Sequence, residues 1–390
     1  MVKELRSVFS SDPWLLGTVA CVLSIGLVML ASASMNIGSE HYGSPYYFLE
    51  RQVVYVGLSL VVACVVLCIP LRLWARSANV LLVLSMLLLV LVFVPELGRT
   101  VNGSARWIGI GMFNLQPSEV CKLAIVVYLA ALLAAKGDEV LANWKALLLS
   151  LWPLFLMGVL LLLEPDFGAT IVIFGTSLAV LFLAGLKMRY FLSFLLIMGA
   201  SAYQLIVMSP YRVIRLKSYL HACESEYYYK EGYQLCQALI AFGRGDWFGV
   251  GLGSSVQKLF YLPEAHTDFL LAVLGEELGF LGSLVIILLF LLLVVRAFSI
   301  GARAKLAKNY FAAYLSYGIG VWVALQAFIN LGVNMGLLPT KGITLPLMSY
   351  GGSSIVIMCV CFALLLRIAY ETNTSKVVSK SKGGVWAGVS

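Results

Sequence analysis

Charge is scarce in this chain: 27 Lys and Arg and 19 Asp and Glu in 390 residues, only 12% of the total. Set against 61% hydrophobic residues and a mean hydropathy of +0.95, that scarcity excludes a water-soluble domain of this length. Histidine is scarcer still, at three, and the sequence holds no Cys/His cluster with metal-ligand spacing. It also lacks a phosphate-binding glycine loop, a dinucleotide fingerprint and a nucleophile elbow, so nucleotide-driven and metalloenzyme classes lose support. No nucleic-acid motif accompanies the net charge of +8, which reads as contact with anionic lipid headgroups.

What the chain has is long apolar runs. Hydropathy predicts ten membrane-spanning helices near 13–34, 52–70, 79–94, 116–135, 146–163, 169–186, 190–208, 269–295, 311–335 and 353–370. The runs are continuous rather than alternating, which selects helices over barrel strands. The expected fold class is all-α, a single polytopic membrane domain over residues 1–390. The first run is longer than a signal-peptide core and precedes no convincing cleavage site, so it reads as a retained helix. Sixteen of the 27 basic residues, among them Arg72, Arg76, Lys136, Lys145, Lys187, Arg189, Arg303 and Lys305, fall on one side of this arrangement. The positive-inside rule makes that side cytoplasmic, together with both termini and a C-terminal tail over about 371–390.

Three segments on the other side, 95–119, 209–267 and 336–354, are rich in Gly, Pro and polar residues, so function is expected there. The 59-residue loop 209–267 is too long to be a structureless connector. Within it, Leu235, Cys236, Leu239, Ile240 and Phe242 have roughly helical spacing and predict an amphipathic helix over 233–242, on or against the bilayer. The following run, Gly243 to Gly253, permits tight turns close to a ligand, as in a lid or channel wall. Cys223 and Cys236 share this loop, where an oxidising compartment allows a disulfide. Cys236 equally fits the apolar face of the helix. The other six cysteines lie within or at the ends of spans, as small hydrophobes.

Candidate chemistry begins at Leu262-Pro263-Glu264-Ala265-His266-Thr267-Asp268-Phe269, at the mouth of the eighth span. Ionisable groups at membrane depth are expensive and therefore functional candidates. Asp268 suits a general base in a partly dehydrated cleft; capping of the next helix by Thr267 or Asp268 is an equal alternative. Glu264 and His266 approach from the same extended segment, with ordinary loop hydrogen bonds as the plainer account. Gln116-Pro117-Ser118-Glu119 with Lys122 puts opposite charges on one helix face, either beside the base or as a local ion pair. Arg106 beside Trp107 suits a phosphate near the interface or a snorkelling anchor. Glu164-Pro165-Asp166-Phe167-Gly168 is read as an acid-capped turn in preference to a metal site. Between Asn330 and Ser354, dense Gly and Pro break a helix, which membranes tolerate only beside a cavity or water. There Lys341 offers a charge for a phosphate, and Ser349, Gly351 and Gly352 either line that cavity or pack helices closely.

Taken in order, the blocks Asn102-Gly103 with Arg106-Trp107-Ile108, Gln116–Glu119 with Lys122-Leu123, Pro165–Gly168, Leu262–Phe269 and Leu338–Ser354 resemble the SEDS family of bacterial shape, elongation, division and sporulation proteins over nearly the whole chain. Ser255–Lys258 followed by Tyr261–His266 is similar to the division branch rather than the elongation branch. The stretch His221 to Lys230 departs from the family pattern. The resemblance implies a peptidoglycan glycosyltransferase that polymerises lipid II at the outer face of the plasma (inner) membrane, at the division site. It also implies a class B penicillin-binding transpeptidase as partner, alongside other division-complex membrane proteins. It makes Asp268 the essential acid, with Glu119 and Lys122 near it as further catalytic residues.

The residues suit that chemistry, because a base for the acceptor hydroxyl and cations for a leaving diphosphate are sufficient. Arg106, Lys341, Arg212 and Arg215 are the candidate cations; His266, Glu264, Ser349, Gly351 and Gly352 complete the expected substrate site. A divalent cation, Mg or Mn, would suit the diphosphate, and no metal ligands are assigned. The rival readings are a lipid II flippase or transporter and a non-catalytic division scaffold. Against the transporter, the sequence shows no paired halves, and its polar blocks collect on one face.

Overall fold

The structure, a computed structural model, describes residues 7–94, 96–101, 104–110 and 113–384. Among them every predicted span is a helix: α1 (Pro13–Tyr42), α2 (Tyr47–Cys68), α3 (Leu71–Leu91), then, after a small sheet, α4 (Pro117–Ala142). The fifth span is a pair, α5 (Trp144–Ser150) and α6 (Trp152–Leu163), bent by 47°. Pro153 in the first turn of α6 lacks the N–H that would continue α5. α7 (Phe167–Ala184) and α8 (Met188–Val207) follow.

The long loop carries α9 (Pro210–Leu220), α10 (Ser225–Tyr228) and α11 (Tyr233–Gly245), and the chain closes with α12 (Leu270–Leu306), α13 (Tyr310–Asn334) and α14 (Gly352–Gly384). The expected C-terminal tail is therefore helical as far as Gly384.

Burial grades the helices. α13 and α14 form the centre, with Trp322 and most of their apolar residues buried, whereas no residue of α8 is buried. Helix ends obey local chemistry. Asp12 caps α1 by accepting from Leu15 N at 3.1 Å and also pairs with Arg296 and Arg303, tying the start of α1 to the far part of α12. Arg367 donates to the Leu67 carbonyl at 2.8 Å and pairs with Glu371, which accepts from Leu71 N. These contacts gather at one end of the bundle.

The polar segments gather at the other. Residues 95–119, expected only as a polar connection, contain an antiparallel sheet of β1 (Gly98–Val101), β2 (Ser104–Ile110) and β3 (Phe113–Leu115), in that spatial order. Asn102, Gly103, Gly111 and Met112, at its two turns, lie outside the described residues. Ser353 Oγ donates to the Asn114 carbonyl and accepts from Gln116 N, joining the sheet to the start of α14. Cys223 and Cys236 form a disulfide, and Cys236 also lies on the buried face of α11. Both readings of Cys236 thus hold together.

The glycine run beside α11 does something other than approach a ligand. A Cβ on Gly245 would lie 1.9 Å from the Gly275 carbonyl oxygen, and one on Gly249 2.1 Å from that of Glu277. The run lies against the backbone of α12, so its glycines serve close helix approach. α12 itself breaks at Gly279, whose φ of +69° belongs to the left-handed region. At 37 residues α12 would be about 55 Å long if straight, far beyond a bilayer core. The break divides it into a buried half-helix, 270–278, and a membrane span beyond.

Candidate active site

Asp268 precedes the half-helix by two residues. Asn330 and Asn334, one turn apart on α13, both donate to the Asp268 carbonyl, at 3.0 and 2.9 Å. Asn334 Oδ1 also accepts from Ala272 N at 3.2 Å and so caps α12 from another helix, and Asn330 donates to the Ile343 carbonyl at 2.7 Å. The capping reading of Asp268 is thereby overturned: Phe269 is the N-cap residue of α12 and no side chain of the 262–269 segment caps it. The Asp268 carboxylate is left half-buried and, among the described residues, accepts no hydrogen bond. A Cβ on Gly342 would lie 2.7 Å from Asp268 Oδ2. Burial, reinforced by Glu264, pushes Asp268 up to about 7, while Arg106 pulls it down.

Lys341, adjacent to Gly342, sits with its ammonium 3.5 Å from the ring centre of Phe167. The Arg212 guanidinium stacks on the same ring at 5.2 Å and donates to the Leu205 carbonyl. Burial, and then the charges of Arg212 and Arg215, bring Lys341 down to about 7, with Asp166 opposing. Two of the four predicted cations thus share the Phe167 ring, and a third, Arg215, is near enough to act on the charge of Lys341. The fourth, Arg106, donates to the carbonyls of Glu164 and Pro165 at 3.2 and 2.6 Å, fastening β2 to the turn that begins α7. Asp166 caps α7 by accepting from Ala169 N at 3.0 Å, and burial pushes Glu164 up to about 8. Among the described residues no group of three His, Cys, Asp or Glu converges to hold a metal.

The remaining predicted residues take supporting positions. His266 lies half-buried between the rings of Phe48 and Tyr350, 4.5 and 5.9 Å away, and its carbonyl accepts from Tyr350 N. Burial holds its imidazole below the ordinary histidine range, against the pull of Glu264. Glu264 is exposed, at a φ of +56°, and accepts from the Thr267 hydroxyl at 2.7 Å, which makes a local turn. Glu119 and Lys122 form a buried ion pair at 2.7 Å. Lys122 also donates to Gln326 Oε1, and Gln326 in turn donates to the Thr344 carbonyl at 3.0 Å. No described hydrogen bond joins this pair to Asp268; it braces the 341–345 segment that does face the acid. Ser349 accepts from Leu345 N, Gly351 N donates to Gln52, and a Cβ on Gly352 would strike the Tyr55 ring at 2.3 Å. These three residues make contacts that seat the start of α14 on α2.

Sequence reasoning passed over Glu276 and Glu277, both wholly buried. The expense of charge at membrane depth, which singled out Asp268, applies to them as well. Asn330 and Asn334 gave no signal beyond their spacing of four.

A model of the cell cycle protein family that covers FtsW, RodA and SpoVE matches residues 13–374. The chain is a SEDS protein. It is 48% identical over 368 residues to a probable peptidoglycan glycosyltransferase FtsW of Legionella pneumophila, covering 94% of this chain and 93% of that one. The match to the probable FtsW of Thioalkalivibrio sulfidiphilus is 51%, covering 92% and 89%. Such similarity makes this SEDS chain FtsW-like. Among solved structures, it resembles a chain of a peptidoglycan synthase complex that coordinates polymerization and crosslinking, with a TM-score of 0.75, 28% identity and coverage of 92% and 97%. RodA of Thermus thermophilus is similar at a TM-score of 0.66 and 28% identity, covering 91% and 95%.

Proposed function

We propose that this protein is a peptidoglycan glycosyltransferase of the division branch, polymerising lipid II into β-1,4-linked glycan at the outer face of the plasma membrane. One observation carries the assignment of roles. The Asp268 carboxylate, which among the described residues accepts no hydrogen bond, lies against Gly342, whose chain neighbour Lys341 places its ammonium on Phe167 together with Arg212. Asp268 takes the proton of the acceptor 4-hydroxyl as that oxygen attacks the anomeric carbon of the donor. The bond to the lipid diphosphate breaks with inversion, and Lys341, Arg212 and Arg215 meet the charge that develops on the leaving group. Arg106 adds positive potential near the acid while holding the Glu164–Pro165 turn. Asp268 then releases its proton to water.

No step is assigned to a metal; a divalent ion would arrive with the diphosphate. An apolar groove of about 720 Å³, lined by residues such as Leu148, Phe155, Phe174, Phe194 and Met198, runs between α5, α6, α7 and α8. None of the candidate site residues lines it, so it is not the reaction site. It has the chemistry to take a lipid chain. The working partner is a class B penicillin-binding transpeptidase, with other division-complex proteins at the division site.

Protein purified with that partner and supplied with lipid II should make glycan polymer, and Asp268→Ala should abolish it while folding and partner binding persist. Undiminished polymer from Asp268→Ala removes the base assignment. Wild-type protein that moves lipid II between leaflets without polymerising it is a transporter. One that only binds partners is a scaffold.

A further inference from the structure

The half-helix that follows Asp268 is held at its other end by two carboxylates that the chemistry does not use. Glu276 and Glu277 have no solvent exposure, yet each has several partners. Glu276 accepts from the Ser255 hydroxyl, from Val256 N at 3.0 Å, from Gln257 N at 3.2 Å and from Arg244 at 3.0 Å. Glu277 pairs with Lys258 at 2.7 Å and accepts from the Ser32 hydroxyl at 2.7 Å and Ser255 N at 3.4 Å. The Lys258 ammonium also donates to Ser32 Oγ and the Gly253 carbonyl, so α1, the loop and α12 meet at one ion pair.

The backbone beside this pair is interlocked. Val250 N and Gly251 N donate to the Glu276 and Glu277 carbonyls, and Phe280 N and Leu281 N donate to the Asp246 and Trp247 carbonyls. These bonds satisfy groups that the break at Gly279 would otherwise leave unpaired in a membrane. A Cβ on Gly279 would lie 2.3 Å from Gly249 N, so the joint closes only between glycines.

We propose that Glu277 and Lys258, together with Glu276 and Ser255, are positioning residues for Asp268, setting the angle of the half-helix at its Gly279 joint. The proposal rests on Asp268 being the base. From the Gly279 joint back to Leu270, where the half-helix begins, is nine residues, about 13.5 Å at helical rise, so a 10° swing at the joint moves that end, and Asp268 just beyond it, by about 2 Å. Catalytic geometry tolerates about 0.5 Å. A helix of nine residues has no stiffness of orientation of its own and takes its direction from what grips its ends. Asn334 grips one end, and the glutamates grip the other.

The double variant Glu277→Leu/Lys258→Met removes the ion pair of the clamp without leaving a buried charge unpaired. In the lipid II polymerisation assay its kcat should fall at least tenfold, with KM for lipid II within twofold of wild type. The acid limb of its pH profile should move to lower pH as the base leaves its dry seat. Ser32→Ala, which keeps the ion pair, should show a smaller kcat loss and a shift of the same sign, and it serves where the double variant fails to fold. Wild-type kcat and pH profile in the folded variant, beside an inactive Asp268→Ala, overturn the clamp alone. An active Asp268→Ala overturns the base, and the clamp with it.

Discussion

Lys341→Arg should remove one limb of the pH profile and leave the other. Burial raises Asp268 to about 7, so the free enzyme holds an ionised base only as pH rises through that value. Burial and two arginines lower Lys341 to about 7, so the ammonium that meets the diphosphate is lost as pH rises through the same value. With both values near 7, kcat/KM for lipid II is a narrow bell centred there. Rates at pH 6 and pH 8 fall about threefold from the maximum, and those at pH 5 and 9 about 25-fold. Arginine keeps its charge throughout this range. In Lys341→Arg the alkaline limb should therefore vanish, and kcat/KM should rise to a plateau above pH 7 while the acid limb stays in place.

Saturating substrate adds a second check, because a bound diphosphate stabilises the ammonium and carries the alkaline limb of kcat to higher pH. The assay is initial-rate polymerisation of labelled lipid II by the reconstituted complex from pH 5 to 9, with Arg212→Gln as a third enzyme. Removing a neighbouring positive charge should raise the Lys341 value and widen the bell. A profile flat between pH 6 and 8, or an unchanged alkaline limb in Lys341→Arg, refutes the pairing of these groups as base and diphosphate cation.

Four further variants test the geometry. Gly342→Ala puts a methyl 2.7 Å from Asp268 Oδ2 at a position with no backbone strain, so kcat should drop about 100-fold while the melting temperature changes little. Lys122→Met strands the buried Glu119 carboxylate and should cost about 3–5 kcal/mol of stability by denaturant or thermal unfolding. Glu119→Leu/Lys122→Met should restore stability but not polymerisation, because methionine cannot donate to Gln326, whose amide holds the Thr344 carbonyl; full recovery of rate would show that this brace is dispensable. Asp268→Asn should be inactive yet more stable above pH 7, where the wild type carries an ionised carboxylate in a dry seat. A rise from 3.8 to about 7, discounted for partial exposure, corresponds to roughly 2 kcal/mol. That gain should decline as pH falls through 7, when the folded carboxyl protonates, and disappear near pH 4.

The ten spans were legible because twenty apolar residues in a row have few other uses, and the broken segment after Asn330 was legible from its glycines and prolines. The sheet at Gly98–Leu115 was not, since short strands leave only a weak alternating pattern beside spans of this length. Among the candidate residues, Asp268 and the cations Lys341, Arg212 and Arg215 lie in one neighbourhood although 129 residues separate Arg212 from Lys341. Charge type suggested each of them, and only the fold could join them. The braces were harder to find. Gln326, Asn330 and Asn334 act through carbonyls of distant segments, and a sequence does not show which carbonyl an amide will meet.

The break at Gly279 and the raised value of Asp268 have a common origin. A base poised near neutrality needs a seat with little water, yet at the membrane surface such a seat must also leave no backbone group unpaired. A continuous helix would satisfy its own backbone, but it would carry Asp268 about 18 Å beyond Phe280, along the line of the span. Breaking the helix turns the acid back among α13 and the 341–345 segment, and the freed N–H and C=O groups are then met by the glycine run 245–251. The glycines that looked suited to a ligand thus serve the base indirectly. Close backbone approach at Gly245 and Gly249 is what lets a buried half-helix, with the acid just beyond its tip, exist at the membrane surface.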